Sequence, residues 1–304
     1  MPPWVDVGPG DDAAVIRPVR GALEVLTTDA LVDGIHFDLR FVPPDAVGHR
    51  ALAVNLSDLA AMGAEPRAAL LSLLLPDDLD VGTLDGIVDG MLALASRYRI
   101  ALVGGNITRT TGPLAIDVTA TGSVRPRRVL TRGGARPGDD VYVTGVIGAA
   151  AAGLAVLKNV VSGFSRTASR DACVERYLRP DPRVRMGMLL GRNRAASSCM
   201  DLSDGLADAV RQIAEASGVG VVIDTASVPI DGELEHAITA GDDYELLFTS
   251  RPAQRGRLRN VRRQAGDLPI TKIGVVTKGK DVLLRDDKGT REMPRGYEHF
   301  SQQK

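Results

Sequence analysis

The sequence predicts a two-domain protein of α/β (α+β) class built on mixed sheets. Short apolar or alternating runs that suit strands recur along the chain. Stretches with helical spacing and clear start and stop residues lie between them. The alternation breaks once, at a basic and turn-rich segment, RPRRVLTRGGARPGD (125–139), and then restarts. The 304 residues suffice for two medium domains, placed at 1–135 and 136–304.

Taken in order, Leu23–Thr28 reads as a strand that ends in Asp29. Asp45 is placed to cap a helix from Ala46 to Met62, with Gly63 as its stop and Pro66 beyond. This helix is apolar nearly all round from Ala51 onward and should be buried, with Asn55 and Asp58 on one face. Ala69–Leu75 is a strand-like run, Asp80–Arg97 a helix and Ala101–Val103 a strand, after which Gly104-Gly105 should turn the chain. Leu114–Val124 alternates as a strand does. Beyond the basic segment, Val141–Thr144 is a strand, Gly145 and Gly148 shape a turn, and an Ala-rich helix follows. Residues 158–170 are polar and read as a mobile loop. Asp201 ends a short strand, and Asp204–Ser217 is an amphipathic helix stopped by Gly218. Val219–Asp224, Tyr244–Thr249, Ile270–Val276 and Val282–Leu284 read as further strands. No fixed-period repeat is present.

The formal net charge of −1 gives no reason to expect a nucleic-acid or membrane surface. The first residues lack the basic and apolar regions of a secretion signal, and the longest apolar runs are too short for a bilayer. A cytoplasmic location is the expectation. Cys173 and Cys199 lack metal-ligand spacing and should be buried free thiols.

Four acidic clusters stand at element boundaries: Asp11-Asp12, Asp29, Asp201 with Asp204, and Asp242-Asp243, while Asp58 adds a carboxylate on the buried helix. Any one of them suits an ordinary cap or turn. Together, several against apolar sequence, they are expensive unless something positive joins them. Two carboxylates about 4 Å apart repel by about 4 kcal/mol at an effective dielectric near 20. All-oxygen donors with few histidines nearby favour magnesium or calcium over zinc, and magnesium suggests phosphate chemistry. The usual phosphate-loop, dinucleotide and protein-kinase motifs are all absent from the sequence. Glycines at 104–105 and 145–148 can offer backbone N–H groups to a phosphate, and Arg109 and Arg132 flank them.

These residues, read in order, resemble the thiamine-monophosphate kinase family. The resemblance is carried by GDDAAV (10–15), TTDALVDGIHF (27–37), ALAVNLSDLAAMGAEP (51–66), GGNITR (104–109), LTRGGARPGD (130–139), YVTG (142–145), DLSDGLADA (201–209), GDDYELLFT (241–249) and GYEHF (296–300). VNLSDLAAMGA and DLSDG are shared with the wider superfamily of aminoimidazole ribonucleotide and selenophosphate synthetases. GDDYELLFT with GYEHF points to the thiamine-phosphate branch. The resemblance implies a synthetase-like fold whose N-terminal sheets pair into a barrel in a homodimer. It implies phosphorylation of thiamine monophosphate by ATP, by direct in-line transfer with several magnesium ions. By position, Asp12, Thr27, Thr28, Asp29, Asp58, Asn106, Asp201 and Asp204 match metal-binding places, with Asp29, Asp58 and Asp204 the catalytic set. Gly105, Asn106, Arg132, Ser203 and Tyr98 match nucleotide contacts, and His36, Asp242 and Tyr297 match places that hold thiamine phosphate. The sequence departs from the family at Asn106, where GGD is usual, and at Asp242-Asp243, where GGEDYEL is usual. The helical segment that usually precedes the first GDD is also missing. Two other readings remain: another ATP-using superfamily member, and a non-catalytic paralogue that binds thiamine phosphates.

Overall fold

A computed structural model of the chain describes residues 1–160 and 168–296. The first half contains β1 (Val5–Val7), β2 (Val15–Ile16), β3 (Leu23–Val32), α1 (Pro44–Ala61), β4 (Glu65–Pro76), α2 (Val81–Tyr98), β5 (Ala101–Thr110) and β6 (Ala115–Val124). The second half contains β7 (Asp140–Thr144), α3 (Ala149–Val160), α4 (Ala168–Leu178), α5 (Val184–Asn193), β8 (Ser198–Asp201), α6 (Leu206–Ser217), β9 (Gly220–Asp224), α7 (Leu234–Thr239), β10 (Leu246–Ser250), α8 (Arg255–Ala265), β11 (Ile270–Thr277), β12 (Val282–Asp286) and β13 (Gly289–Glu292). The mixed α/β class is as the sequence predicts.

The N-terminal sheet has four strands in the order β3-β6-β4-β5. Its β4–β5 pair is parallel, so the connection must cross over, and α2 makes that crossing. Helix α1 is buried nearly all round, as its apolar sequence predicts, and packs between this sheet, α2, α5 and β8. The C-terminal sheet has seven strands in the order β13-β12-β9-β11-β7-β10-β8. One continuous apolar core runs from the inner face of the first sheet through α1 to Cys199 and Phe248 of the second, and a second core lies under α6. Both cysteines are free and buried, as expected. No described helix is long and apolar enough to cross a membrane.

Several boundaries differ from the sequence reading. Asp45 is not the cap of α1: that place belongs to Pro43, and Asp45 sits in the first turn, where Arg179 Nη2 pairs with it at 2.5 Å. The strand at Asp29 does not end there, because β3 pairs with β6 without interruption to Val32. Gly104-Gly105 is not a turn. Both lie inside β5, where β4 and β5 shift register, and a Cβ on Gly105 would stand 1.8 Å from the Leu71 carbonyl oxygen. Helix α6 begins at Leu206 rather than Asp204. The predicted mobile loop at 158–170 is helical at both described ends, where 158–160 close α3 and 168–170 open α4, and 161–167 lie outside the described residues.

Candidate active site

Alternation along β3 sends Thr27 and Asp29 to the same face as Val25 and Leu31, toward α1. Thr27 Oγ1 donates a short hydrogen bond to Asp58 Oδ2 of α1. The residue before it on α1, Ser57, donates from Oγ to Asp201 Oδ2 at 2.7 Å. Asp201 closes β8, and the next turn carries Ser203 and Asp204. Thr27, Asp29, Ser57, Asp58, Asp201 and Asp204 therefore meet where the edge of one domain faces the end of a strand in the other.

The carboxylates act on one another. Burial, then Asp58, Asp117 and Asp204, push Asp29 up to about 6. Burial and then Asp58 push Asp201, which is 3% exposed, up to about 7 against the hydrogen bond from Ser57. Burial also raises Asp58, opposed by Thr27 and by the charge of Arg132. Arg132 is the cation in reach of both Asp58 and Asp201, and its guanidinium donates to Gln212. Asp29, Asp58 and Asp201 each meet the negative charge of another carboxylate of the group or its rim. Among the described residues, no three carboxylates already surround a metal position. The donors are nevertheless hard oxygens only, a set that fits magnesium, and burial first and mutual repulsion second raise the proton affinity of Asp29 and Asp201.

The turn bearing Ser203 and Asp204 is clamped to the GDDYE segment (241–245). The Leu202 N–H donates to the Glu245 carbonyl at 2.8 Å, Tyr244 N–H to the Leu202 carbonyl at 3.1 Å, and Asp242 N–H to the Ser203 carbonyl at 2.8 Å. Gly241 passes so close that a Cβ there would stand 1.9 Å from the Ser203 oxygen. Asp242 takes a left-handed backbone, with φ of 70°, and its Oδ1 lies 2.9 Å from Arg50 Nη2. Arg50 is fully buried, stacks 4.3 Å over the Tyr177 ring and donates to the Tyr177 carbonyl. Tyr177 in turn lines a cavity of about 380 Å³ with His36, Phe37, Phe41, Leu154 and Lys158. The Val32 N–H donates to His36 Nδ1 at 3.1 Å, which leaves Nε2 to carry the proton of the neutral ring.

The other candidates stand apart from this group within one chain. Thr28 faces the opposite side of β3, 3.4 Å from Asp117 Oδ1 and 3.1 Å from Thr119 Oγ1. Asn106 lies on β5, the far edge of the sheet from β3, in a cross-strand row with Ser72, Asp117 and Ala30. That separation is three strand spacings, about 14 Å. Gly105 lies on the same far edge, and it cannot serve the nucleotide as part of a turn because none exists there. Asp12 belongs to the loop between β1 and β2, a hairpin whose Val5 and Ile16 pack on Ala68, Ala101 and Val103, and its N–H donates to Asp11 at 2.8 Å. The Tyr98 hydroxyl is 2.9 Å from both Asp181 Oδ1 and the Pro182 carbonyl, so it is engaged away from the acidic group. Arg109 pairs at the surface with Asp77 at 3.2 Å. Tyr297 lies outside the described residues; Gly296, just before it, packs against Asp204 and Asp208.

Sequence reasoning missed Ser57, Asp117 and Arg50. Ser57 and Arg50 sit at buried positions of a helix whose apolar residues dominate the pattern, and Asp117 reads as an ordinary outward position of an alternating strand. It also missed Glu245, which is fully buried and held by Arg176 Nη2 at 2.6 Å, Arg183 Nε at 2.7 Å and Thr144 Oγ1 at 2.6 Å.

Residues 10–124 match the family of the AIR synthase related protein N-terminal domain, and residues 136–287 match that of its C-terminal domain. The chain is similar to a thiamine-monophosphate kinase of Bacillus subtilis, with 37% identity covering 97% of this chain and 94% of the relative. It is 39% identical to one of Escherichia coli K12, over 98% of this chain and 93% of that protein. The solved thiamine-monophosphate kinase of Stenotrophomonas maltophilia superposes with a TM-score of 0.84 at 37% identity, covering 93% of this chain and 91% of the other. A structure of AaThiL complexed with AMPPCP and TMP superposes at 0.82 with 32% identity, covering 93% and 89%.

Proposed function

We infer the chemistry of this site from one premise: the chain belongs to the thiamine-monophosphate kinases of the AIR synthase related family. Its reaction is the ATP-dependent phosphorylation of thiamine monophosphate. The observation that carries the mechanistic reading is the meeting of Thr27, Asp29 and Asp58 with Asp201 and Asp204 across the two domains. The acceptor is a phosphate monoester. Its second pKa lies near ~6, so at neutral pH it is already a nucleophilic dianion and needs no general base. The carboxylates are therefore free to hold the cations that let two polyanions approach.

Asp29, Asp58, Asp201, Asp204 and Thr27 would hold magnesium here, while Thr28, Asp12 and Asn106, which stand apart from this group within one chain, would serve as further oxygen donors from the second copy in the homodimer. Bound magnesium supplies the positive charge that neutralises and aligns the phosphate oxygens. Arg132 and Ser203 bind the nucleotide, and the Gly105 backbone, on the far edge of the sheet, would add a contact from the second copy. His36, Asp242 and Tyr297 bind thiamine phosphate, and the cavity beside His36 takes the organic part of the acceptor. Arg50 sets the Asp242 carboxylate from below. A terminal phosphate oxygen of thiamine monophosphate then forms a bond to the γ-phosphorus of ATP as the bond to the ADP oxygen breaks. Positioning and charge neutralisation supply the catalysis.

The same reading includes domains at 1–135, binding ATP and metal and making the dimer, and at 136–304, completing the site. It includes a homodimer. Leu26 and Leu70, on the face of the four-stranded sheet away from α1, are 69% and 44% exposed, which supports burial against a second copy as a closed barrel. A cytoplasmic location belongs to the same proposal. Incubating the purified protein with ATP, magnesium and thiamine monophosphate should give thiamine diphosphate and ADP in equal amounts. Turnover with another acceptor and none with thiamine monophosphate would overturn the assignment.

A further inference from the structure

We propose that an arginine-lined pocket at the junction of the two halves is a second anion site, for the oligophosphate group of a small molecule. The pocket, about 440 Å³ in volume, is lined by Arg125, Arg127 and Arg128 from the turn after β6 and by Arg192 and Arg194 from the end of α5. No acidic residue lines it. It shares no residue with the acidic site.

The juxtaposition is built by the fold. The two segments lie more than sixty residues apart in sequence. Gly191 on α5 lets them touch: a Cβ there would stand 2.4 Å from the Arg128 carbonyl oxygen. On the other side, the Leu130 N–H donates to the Met62 carbonyl at 3.2 Å and ties the turn to the end of α1. Arg125 Nη1 rests on the carbonyls of Arg20 and Gly21, at 3.0 and 3.2 Å. The side chains of Arg127, Arg128, Arg192 and Arg194 carry no ion pair among the described residues. Arginine at a helix C-terminus complements the helix dipole, which accounts for Arg192 and Arg194. It does not account for three more arginines brought from another part of the chain to the same pocket.

Five like charges gathered in one concave pocket repel one another, in a chain whose formal net charge is −1. A polyanion relieves that repulsion. Guanidinium forks suit phosphate oxygens, and several forks from two directions suit a chain of linked phosphates better than a single one. The volume is that of a small-molecule pocket, which favours a compact oligophosphate, free or on a nucleotide, over a nucleic-acid strand.

Calorimetric titration of the full chain with inorganic tripolyphosphate, at about 0.15 M salt, tests this. EDTA is included so that the metal-free acidic site repels the probe. We expect saturable one-to-one binding. Arg127→Ala with Arg192→Ala should weaken it by about tenfold or more, since charge-assisted hydrogen bonds are lost. All the side chains concerned are exposed, so the variant should keep its melting temperature and its kinase activity. Arg127→Lys with Arg192→Lys should fall between the two, because charge is kept and the fork lost. ATP without magnesium should compete with tripolyphosphate if the site takes nucleotides, and fail to compete if it takes only free oligophosphates; either supports the site. Absence of saturable binding, or equal affinity in the double Ala variant, would overturn it. Single-stranded oligonucleotides that bind more tightly than tripolyphosphate, in proportion to length, would overturn it in favour of a nucleic-acid surface.

Discussion

Replacing Asp58 by Asn should make the metal-free protein more stable and the enzyme nearly inactive. The two effects have one origin. Asp58 is the second cause, after burial, of the raised proton affinities of both Asp201 and Asp29. Asp201 rises from 3.8 to about 7 and Asp29 from 3.8 to about 6. At about 1.4 kcal/mol per unit, these shifts correspond to roughly 4 and 3 kcal/mol against the charged forms. Burial takes the larger part; on the order of 2 kcal/mol over both sites is assigned to Asp58, below the roughly 4 kcal/mol of two carboxylates about 4 Å apart at an effective dielectric near 20. Asn is nearly isosteric and still accepts from Thr27. An entropy of unfolding of about 2.1 cal/mol/K per residue makes 1 kcal/mol worth about 1.5 °C in a chain of this length, so the gain is about 3 °C. Its pH dependence has a definite sign. A carboxyl whose pKa is higher in the folded state contributes stability that is full below about 4 and is lost as pH rises through 6 to 7. The variant should therefore melt about 3 °C above the wild type at pH 7.5 in EDTA and level with it near pH 4. Magnesium should raise the melting point of the wild type and raise that of the variant much less. Turnover should drop by about two orders of magnitude, as expected for a lost charge that acts on phosphoryl transfer. Calorimetric melting with and without magnesium, alongside a kinase assay, reads all of this. A variant that melts lower in EDTA at pH 7.5, or that keeps near wild-type turnover at saturating magnesium, would show that Asp58 is a structural acceptor for Thr27 and nothing more.

Arg50→Lys keeps the charge but cannot reach Asp242 and the Tyr177 carbonyl together, so KM for thiamine monophosphate should rise about tenfold with little change in kcat; equal loss in both would place Arg50 in the transfer step instead. Gly241→Ala puts a methyl group 1.9 Å from the Ser203 oxygen and should cost about 1–3 kcal/mol in urea unfolding, together with activity; an unchanged midpoint would mean that the two motifs are not packed as described. Asn106→Asp adds a carboxylate to the row that holds Asp117 and should lower the magnesium needed for half-maximal activity without abolishing turnover; superimposable titration curves would remove position 106 from the metal site.

Much of this architecture was legible because it rests on local patterns. An apolar helix with Gly63 behind it had to be buried, and the alternation of Leu114–Val124 marked the strand β6. The clustering of carboxylates against apolar sequence pointed to cations before any geometry was known. Legibility failed where tertiary packing sets the local choice. Gly104-Gly105 has the look of a turn, yet the glycine is there because the β4 backbone presses on it. Asp29 has the look of a strand end, yet β6 carries the pairing three residues further. Asp45 has the look of a cap, yet a long-range arginine, 134 residues away in sequence, holds it. Partly buried ion pairs such as Arg50 with Asp242, and Arg176 and Arg183 with Glu245, link residues that no sequence window contains together. The row that puts Asn106 on the far edge of the sheet from Asp29 is likewise a property of strand order.

A single-turnover reaction with ATP labelled at the γ-phosphorus tests the central claim most directly. Enzyme in excess, with magnesium and thiamine monophosphate, is quenched over time and the label is followed in protein, inorganic phosphate and thiamine diphosphate. We expect the label to pass straight to the terminal phosphate of thiamine diphosphate, only when magnesium is present, with none on the protein at any time. Label that appears first on the protein, or that is released as inorganic phosphate while thiamine monophosphate stays unchanged, would contradict direct transfer between the two phosphates at this site.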